Sequence, residues 1–176
     1  PMTDSEPNRG THSAVTIHDQ LTQGSDEWLA ARCGLLTASE MKLILTPTLK
    51  KAQNDKQRQH LYELMAQRIT NYVEPTYVGD DMLRGQADEF EAVLIYHENI
   101  SPVEHVGFIT NDKWGFTIGY SPDGIVGADG LIECKSRRQK YQAQTILDHV
   151  ATGGTTIPTE YILQHQTGLM VSERKW

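Results

Sequence analysis

The segment Tyr120-Ser-Pro-Asp-Gly-Ile-Val126, followed after a short turn by Leu131-Ile-Glu-Cys-Lys135, determines the fold that we expect for this chain. Both pieces are short, apolar and bounded by Gly, Pro and Asp, which is typical of β-strands joined by tight turns. On a strand the side chains of Glu133 and Lys135 project from the same face. Asp123 lies one hairpin away, and the hairpin returns the chain, so these three charged groups can converge.

Carboxylates grouped in this way on a sheet edge need a partner, because like charges raise each other's pKa and resist ionisation. A hard divalent cation such as Mg²⁺ takes oxygen ligands and keeps several waters for a substrate. Lys135 can then hold or deprotonate the water that attacks a phosphodiester. Mn²⁺ suits the same ligands. The alternative is a charged hairpin with a surface Glu–Lys pair, since Glu-x-Lys on a strand is common.

Composition places the chain in the globular class. It has 176 residues, 38% hydrophobic and 22% charged, which is room for one domain with a core. No apolar run approaches the roughly 20 residues of a membrane helix. The two cysteines, Cys33 and Cys134, suit a reducing cytoplasm, so we expect a cytoplasmic protein. The net charge of −7 argues only weakly against a nucleic-acid partner, because an acidic protein can carry a basic cleft.

Helical and strand patterns alternate along residues 15–176, which we expect to form a single domain after a disordered tail over residues 1–14. Helices are predicted over residues 25–32, 37–46, 51–72, 82–98, 141–150 and 161–172. Strands are predicted over residues 106–110, 116–120, 124–126 and 130–134. This order predicts an α/β (α+β) fold. The chain stops at Trp176 directly after a helix, so the domain either ends unusually or lacks its C-terminal elements.

Four sequence blocks follow one another between residues 23 and 176. They are Trp28-Leu-Ala-Ala-Arg-Cys-Gly-Leu-Leu-Thr-Ala-Ser-Glu40, Arg84-Gly-Gln-Ala-Asp-Glu-Phe-Glu91, Ser121-Pro-Asp-Gly124 with Glu133-Cys-Lys135, and Tyr161-Ile-Leu-Gln-His-Gln166. In this order they resemble the phage lambda exonuclease and YqaJ-type viral recombinase family of the PD-(D/E)xK nuclease superfamily. The resemblance implies a restriction-endonuclease-like core, in which a central mixed sheet is flanked by helices.

The resemblance also implies roles for the residues of the third block. Asp123 and Glu133 would hold the catalytic Mg²⁺, with two ions in each site, together with the main-chain carbonyl of Cys134. Lys135 would activate or position the attacking water. The predicted hairpin, without reference to the family, also brings Asp123, Glu133 and Lys135 together.

Two helical residues, Glu89 and Gln164, complete the catalytic set that the resemblance implies. Glu89 would reach a metal from the other side, while Asp88 and Glu91 are rival positions on the same helix. Gln164 would contact the active site, and the alternative for it is a polar residue on a half-buried helix.

Further residues match family positions that contact DNA. Arg32, Ser39 and Ser121 would hold the 5′-terminal phosphate, as a guanidinium and hydroxyl donors can; the alternative for Arg32 is an ordinary salt bridge. After Lys135 the sequence departs from the lambda version, so either Arg137 or Lys140 could contact phosphate.

Met82 and Leu83 occupy the region where the family places an apolar wedge that separates the strands. The alternative is that they are core residues at the start of a helix, because apolar residues near helix ends commonly pack inside.

The resemblance implies an Mg²⁺-dependent exonuclease that degrades one strand of linear double-stranded DNA from its 5′ end to mononucleotides. It further implies a ring-shaped homotrimer, a single-strand annealing protein as partner in phage-type homologous recombination, and a phage or prophage origin in a bacterial cell. One alternative is a restriction or repair endonuclease of the same superfamily. Another is a non-catalytic DNA-binding module, against which the intact Asp123, Glu133 and Lys135 speak.

Overall fold

The computed structural model describes residues 14–75 and 79–176. Of the predicted disordered tail, only Ala14 falls within these ranges, and the rest of it lies outside the described residues. The strands are β1 Val15–His18, β2 Leu36–Thr37, β3 Val103–Glu104, β4 Phe108–Asn111, β5 Ile118–Tyr120, β6 Gly124–Val126 and β7 Gly130–Ile132. The helices are α1 Asp26–Arg32, a 3₁₀ turn Ala38–Glu40, α2 Met41–Ile44, α3 Asp55–Thr70, α4 Asp80–Asn99, α5 Gln139–Thr152 and α6 Thr159–Ser172.

The strands form two sheets. The larger sheet has the order β1-β4-β5-β2, in which β2 runs parallel to β5 and the other pairs are antiparallel. The smaller sheet, β3-β6-β7, is antiparallel. Helix α6 packs on β4 and β5, and helices precede and follow the strands along the chain. This mixed sheet flanked by helices confirms the predicted α/β (α+β) class.

The core lies between α6 and the larger sheet. Phe108 and Ile109 of β4 and Val171 of α6 are at most 1% exposed. Helix α6 approaches β5 closely at Gly168, where an added Cβ would lie 2.7 Å from Cζ of Tyr120. A glycine at this position therefore sets the distance between the helix and the strand.

Side-chain caps determine where α1 and α3 begin. Ser25 accepts a hydrogen bond from the N–H of Trp28, and α1 runs to Arg32, which confirms its predicted bounds to within a residue. The predicted start of α3 at residue 51 is wrong, because Asn54 accepts the N–H of Gln57 and the helix begins after this cap.

The strands differ from the prediction at their ends. β4 and β5 begin at residues 108 and 118 rather than 106 and 116, and the short strands β1, β2 and β3 were not predicted. β7 ends at Ile132, so the prediction that the strand reaches Cys134 is wrong. The reason is that the N–H of Cys134 donates to Oδ2 of Asp123 at 2.5 Å. Glu133 and Lys135 consequently follow the strand instead of belonging to it.

The apolar stripes of α3 and α4 face outward in the described part of the chain. Leu61 and Phe90, for example, are 53% and 67% exposed. Met82 and Leu83 are 47% and 55% exposed, so the interpretation of these two residues as core is wrong. Among the described helices, none combines the length and the apolar character that a membrane crossing requires.

Two glycine-to-alanine substitutions should change the free energy of unfolding in opposite directions, one at the contact between α6 and β5 and one away from it. Gly168→Ala should lower the free energy of unfolding by about 1–3 kcal/mol, because the new methyl group meets the buried ring of Tyr120. Gly85→Ala, inside α4 with nothing within 4 Å of its Cβ, should raise it by up to about 1 kcal/mol. Urea unfolding followed by circular dichroism measures both, and an unchanged stability of Gly168→Ala would contradict the proposed close packing.

Candidate active site

A cavity of about 220 Å³ opens where β5, β7, α1, α4 and α6 approach one another. Eight of the residues predicted to act in the site line this cavity: Arg32, Ser39, Glu89, Ser121, Asp123, Glu133, Lys135 and Gln164. They come from segments that are separated by up to 132 positions in the sequence. The cavity is therefore our candidate active site.

Asp123 enters the cavity from the link between β5 and β6. Its carboxylate accepts the main-chain N–H of Cys134 at 2.5 Å, which ties this link to the segment that follows β7. The β6–β7 hairpin pairs Gly124 with Ile132 in antiparallel fashion. Asp123 directly precedes Gly124 and Glu133 directly follows Ile132, so the two acids lie at the same end of the hairpin on adjacent chain segments. The hairpin thus brings the two acids together, as predicted, although only the turn and the register, and not a continuous strand, position Glu133.

Glu133 has a side chain that is only 7% exposed. Its Oε2 accepts the hydroxyl of Tyr120 at 2.7 Å. Its Oε1 accepts Nζ of Lys135 at 2.5 Å and also the side-chain amide of Gln164. A buried carboxylate requires such donors to offset the loss of water, and this one has three.

The acids of the cavity carry negative charge that the protein alone does not neutralise. Burial, followed by the nearby charge of Glu133, raises the pKa of Asp123 to about 7 against the opposing effects of the Cys134 N–H and Lys135. Burial also raises the pKa of Glu89, with Glu133 contributing and Lys135 opposing. Two carboxyl groups that resist ionisation in one cavity are typical of a site that binds a cation.

Lys135 responds to the same charges in the opposite direction. Burial lowers the pKa of its ammonium group, but Glu133, Asp123 and Glu89 together outweigh this effect and raise it. The lysine is therefore a cation and a hydrogen-bond donor in the metal-free protein. In that state it can position a water or a phosphate oxygen but cannot accept a proton.

The donor atoms of the cavity fit a hard metal ion. The carboxylate oxygens of Asp123 and Glu133, which line the cavity, are ligands that Mg²⁺ and Mn²⁺ accept, and Mg²⁺ commonly takes only one or two carboxylates beside water. The main-chain carbonyl of Cys134 is a ligand of the same type, but Cys134 does not line the cavity. Within residues 14–75 and 79–176, no three His, Cys, Asp or Glu side chains are arranged as a preformed shell around one ion. A site of this kind would therefore depend on water and substrate for its remaining ligands.

The lining of the cavity also includes a cation and hydroxyl groups. The guanidinium of Arg32 stacks on the indole of Trp28, with Cζ 4.3 Å from the ring centroid. The indole N–H donates to Ser121 Oγ at 2.9 Å and to the carbonyl of Gly107 at 3.1 Å. Arg32 also pairs with Glu40 at 3.4 Å, so the salt bridge that was its alternative role is present beside the cavity.

Other predicted site residues lie outside the cavity. Arg137 is 9% exposed and pairs with Glu160, and Lys140 lies against the ring of Tyr141, with Nζ 4.7 Å from the ring centroid. Met82 and Leu83 do not line the cavity, and neither do the rival acids Asp88 and Glu91, whereas Glu89 does.

Sequence reasoning missed Trp28, Thr37 and Tyr120 as lining residues. Trp28 lies four positions before Arg32 on α1, a spacing that places two side chains on one helical face and could have indicated their contact. Thr37 and Glu40 form a Thr-x-x-Glu capping box, which is also readable in the sequence. No sequence signal connects the hydroxyl of Tyr120 with Glu133.

Residues 27–175 match the family model of the YqaJ-like viral recombinase domain. The chain is also similar to the crystal structure of an alkaline exonuclease, LHK-Exo, from Laribacter hongkongensis, with 31% identity and a TM-score of 0.68. The crystal structure of LHK-Exo in complex with dAMP is similar to the chain with 33% identity and a TM-score of 0.69. In both cases the match covers 86% of this chain and 71% of the other. No curated protein matches the chain.

The raised pKa of Asp123 predicts a pH-dependent effect of Asp123→Asn on the metal-free protein. A folded-state pKa above the ordinary value means that native stability falls as pH rises through about 7. In EDTA at pH 8.5 the substitution should raise the free energy of unfolding by at least about 1 kcal/mol, since one pKa unit corresponds to about 1.4 kcal/mol. At pH 5, where Asp123 holds its proton, the gain should shrink.

Urea unfolding at the two pH values measures this difference. Asp129→Asn is the matched control, because Asp129 is an exposed acid paired with Lys175 at 2.8 Å outside the cavity. A gain for Asp123→Asn that is equal at both pH values would argue against an ionisable, uncompensated carboxyl at this position.

Proposed function

This chain belongs to the YqaJ-like viral recombinase family, and from that premise we propose that it is an Mg²⁺-dependent exonuclease acting on linear double-stranded DNA. It would degrade one strand from the 5′ end and release mononucleotides. The observation that carries the proposal is that Asp123, Glu133 and Lys135 line one cavity together with Arg32.

The similar solved structures support this direction. LHK-Exo is an alkaline exonuclease, and one of its structures holds dAMP, a mononucleotide. An enzyme that releases mononucleotides needs a site for a nucleotide beside its hydrolytic centre. The cavity of this chain combines a cation-binding side and an anion-binding side within about 220 Å³.

In the proposed mechanism Asp123, Glu133 and the Cys134 carbonyl hold the metal, with Glu89 reaching from α4 and two ions in each site; Mn²⁺ could replace Mg²⁺. When bound, the metal would polarise the phosphodiester and lower the pKa of a water molecule. Lys135 donates a hydrogen bond that positions the attacking water or a phosphate oxygen.

Tyr120 and Gln164 orient the buried carboxylate of Glu133 through the hydrogen bonds that they donate to it. A carboxylate held from two sides keeps its remaining lone pairs directed to one region, which is how surrounding residues commonly orient metal ligands.

Arg32, Ser39 and Ser121 would bind the 5′-terminal phosphate. A guanidinium can form two parallel hydrogen bonds with phosphate, and hydroxyl groups add further contacts. Four of the predicted site residues lie outside the cavity, and we assign them no step of hydrolysis: Arg137, Lys140, Met82 and Leu83. We propose that they contact DNA away from the scissile bond.

At the level of the assembly, we propose the ring-shaped homotrimer and the single-strand annealing partner that the family resemblance implies. The reaction would then serve phage-type homologous recombination in the cytoplasm of a bacterial cell.

Substitution of the metal-binding acids should separate cleavage from DNA binding. Asp123→Ala and Glu133→Ala should each lower the cleavage rate by about 10³-fold or more, because metal-ion catalysis contributes several kcal/mol. DNA affinity should change little, since phosphate contacts dominate it. Release of mononucleotides from linear duplex DNA, beside fluorescence anisotropy, measures both quantities.

Glu91→Ala is the control for these variants, because Glu91 is an exposed acid of α4 outside the cavity. Near-normal cleavage by either Asp123→Ala or Glu133→Ala in saturating Mg²⁺ would refute the assignment. Cleavage of closed circular DNA by the unmodified protein would favour an endonuclease instead.

Substitution of Arg32 tests the terminal-phosphate pocket. Arg32→Ala should slow digestion of 5′-phosphorylated duplex strongly and of 5′-hydroxyl duplex much less. The preference for phosphate should fall by about tenfold or more, because a charge-assisted hydrogen bond contributes about 1.5–3 kcal/mol. Arg58→Ala, at an exposed arginine of α3 paired with Asp55, is the control. Equal slowing of both substrates would move the pocket towards Arg137 and Lys140.

A further inference from the structure

In the part of the chain that the structure describes, the guanidinium of Arg32 donates hydrogen bonds through one of its three nitrogens, Nη2. Its Nη2 donates to Thr37 Oγ1 at 3.3 Å and to Glu40 Oε1 at 3.4 Å. Among the described residues, no protein acceptor takes a hydrogen bond from its Nε or Nη1. The stacking contact with Trp28 fixes the plane of the group. Two donors of a fixed guanidinium therefore remain for a ligand in the cavity.

Glu40 is itself rigidly placed. Its side chain accepts the main-chain N–H of Thr37 at 3.0 Å as part of the capping box of the 3₁₀ turn, and it also accepts the Thr37 hydroxyl at 2.7 Å. His60 of α3, which is 3% exposed, lies behind it with Nε2 3.7 Å from Glu40 Oε2. The other ring nitrogen of His60 lies 3.0 Å from Glu63. Glu40 does not line the cavity, so it would act on a ligand only through its neighbours.

We propose that Glu40 is a positioning residue that fixes Arg32 for recognition of the 5′-terminal phosphate, an inference that rests on the proposed function. Glu40 anchors Nη2 against the turn, and this fixes the directions in which the N–H groups of Nε and Nη1 can donate to phosphate in the cavity. Without the anchor, the arginine would have to be ordered when the substrate binds, at a cost in rotamer entropy.

The charge of Glu40 indicates which kinetic constant should change. Its carboxylate partly neutralises Arg32, so its removal leaves the attraction between the arginine and a phosphate no weaker. What is lost is the orientation of the phosphate, and therefore of the scissile bond relative to Asp123 and Glu133. Misplacement of reacting groups lowers kcat more than it raises KM.

The test compares Glu40→Gln with the unmodified protein on duplexes carrying a 5′-phosphate or a 5′-hydroxyl. Glutamine retains an acceptor for the capping box but removes the ionic anchor. With the phosphorylated duplex, kcat should fall about tenfold while KM changes less than about twofold. With the hydroxyl duplex, kcat should stay unchanged. Glu63→Gln is the matched control, because it removes the other carboxylate at His60 without touching Arg32.

Glu40→Gln in the Arg32→Ala background identifies the residue through which Glu40 acts. If Glu40 works through Arg32, the second substitution should have no further effect on either substrate. Equal slowing of both substrates by Glu40→Gln, or an undiminished effect in the Arg32→Ala background, overturns the proposal. Should Glu40→Gln fail to fold, as circular dichroism would reveal, Glu40→Asp provides the same comparison, with a selective loss of kcat on the phosphorylated duplex expected.

The Arg32→Ala result separates this proposal from the one on which it rests. If Arg32→Ala lowers phosphate preference but Glu40→Gln does not, the pocket stands and the positioning role of Glu40 is refuted. If Arg32→Ala slows both substrates equally, Arg32 is not part of the terminal-phosphate pocket, and the role proposed for Glu40 is refuted with it.

Discussion

The buried carboxylate of Glu133 is the interaction on which the rest of the site depends. It receives hydrogen bonds from Tyr120 on β5, from Lys135 beyond β7 and from Gln164 on α6. A charged group in this position would be costly if any of these donors were absent, because a buried charge without partners loses its hydration and gains nothing. The sheet, the hairpin end and the last helix must therefore be assembled together before this carboxylate is satisfied. The close approach of α6 at Gly168 is what brings Gln164 within reach.

The acid cluster itself opposes folding in the absence of a cation. Burial and neighbouring negative charges raise the pKa of both Asp123 and Glu89, which means that their ionised forms are less stable here than in water. Lys135 compensates only part of this charge. Such strain in an active site is common, since groups arranged for catalysis are not arranged for stability. Under the proposed function the arrangement is useful, because a divalent ion would relieve the repulsion and supply the electrophile for phosphodiester hydrolysis.

The cavity has two chemically distinct sides that come from different parts of the chain. Carboxylates from α4 and the hairpin form one side, while Arg32, stacked on Trp28, belongs to the other. The indole of Trp28 connects the two, because its N–H donates to Ser121, two residues before Asp123. The cavity thus combines carboxylates with a guanidinium, although the whole chain carries a net charge of −7. Local arrangement, and not net charge, decides which ligand such a cleft accepts.

The amino-acid sequence by itself determined those features that depend on neighbours along the chain. Ser25 marks the start of α1, and the turn residues around Asp123 predict the hairpin, because caps and turns act over three or four positions. Only the tertiary structure decided that β7 ends before Glu133. It also decided that the Tyr120 hydroxyl donates to Glu133 and that the Arg32 guanidinium donates to Glu40. The burial of a side chain and the charges around it depend on which distant segments of the chain pack together, and no local sequence pattern indicates that.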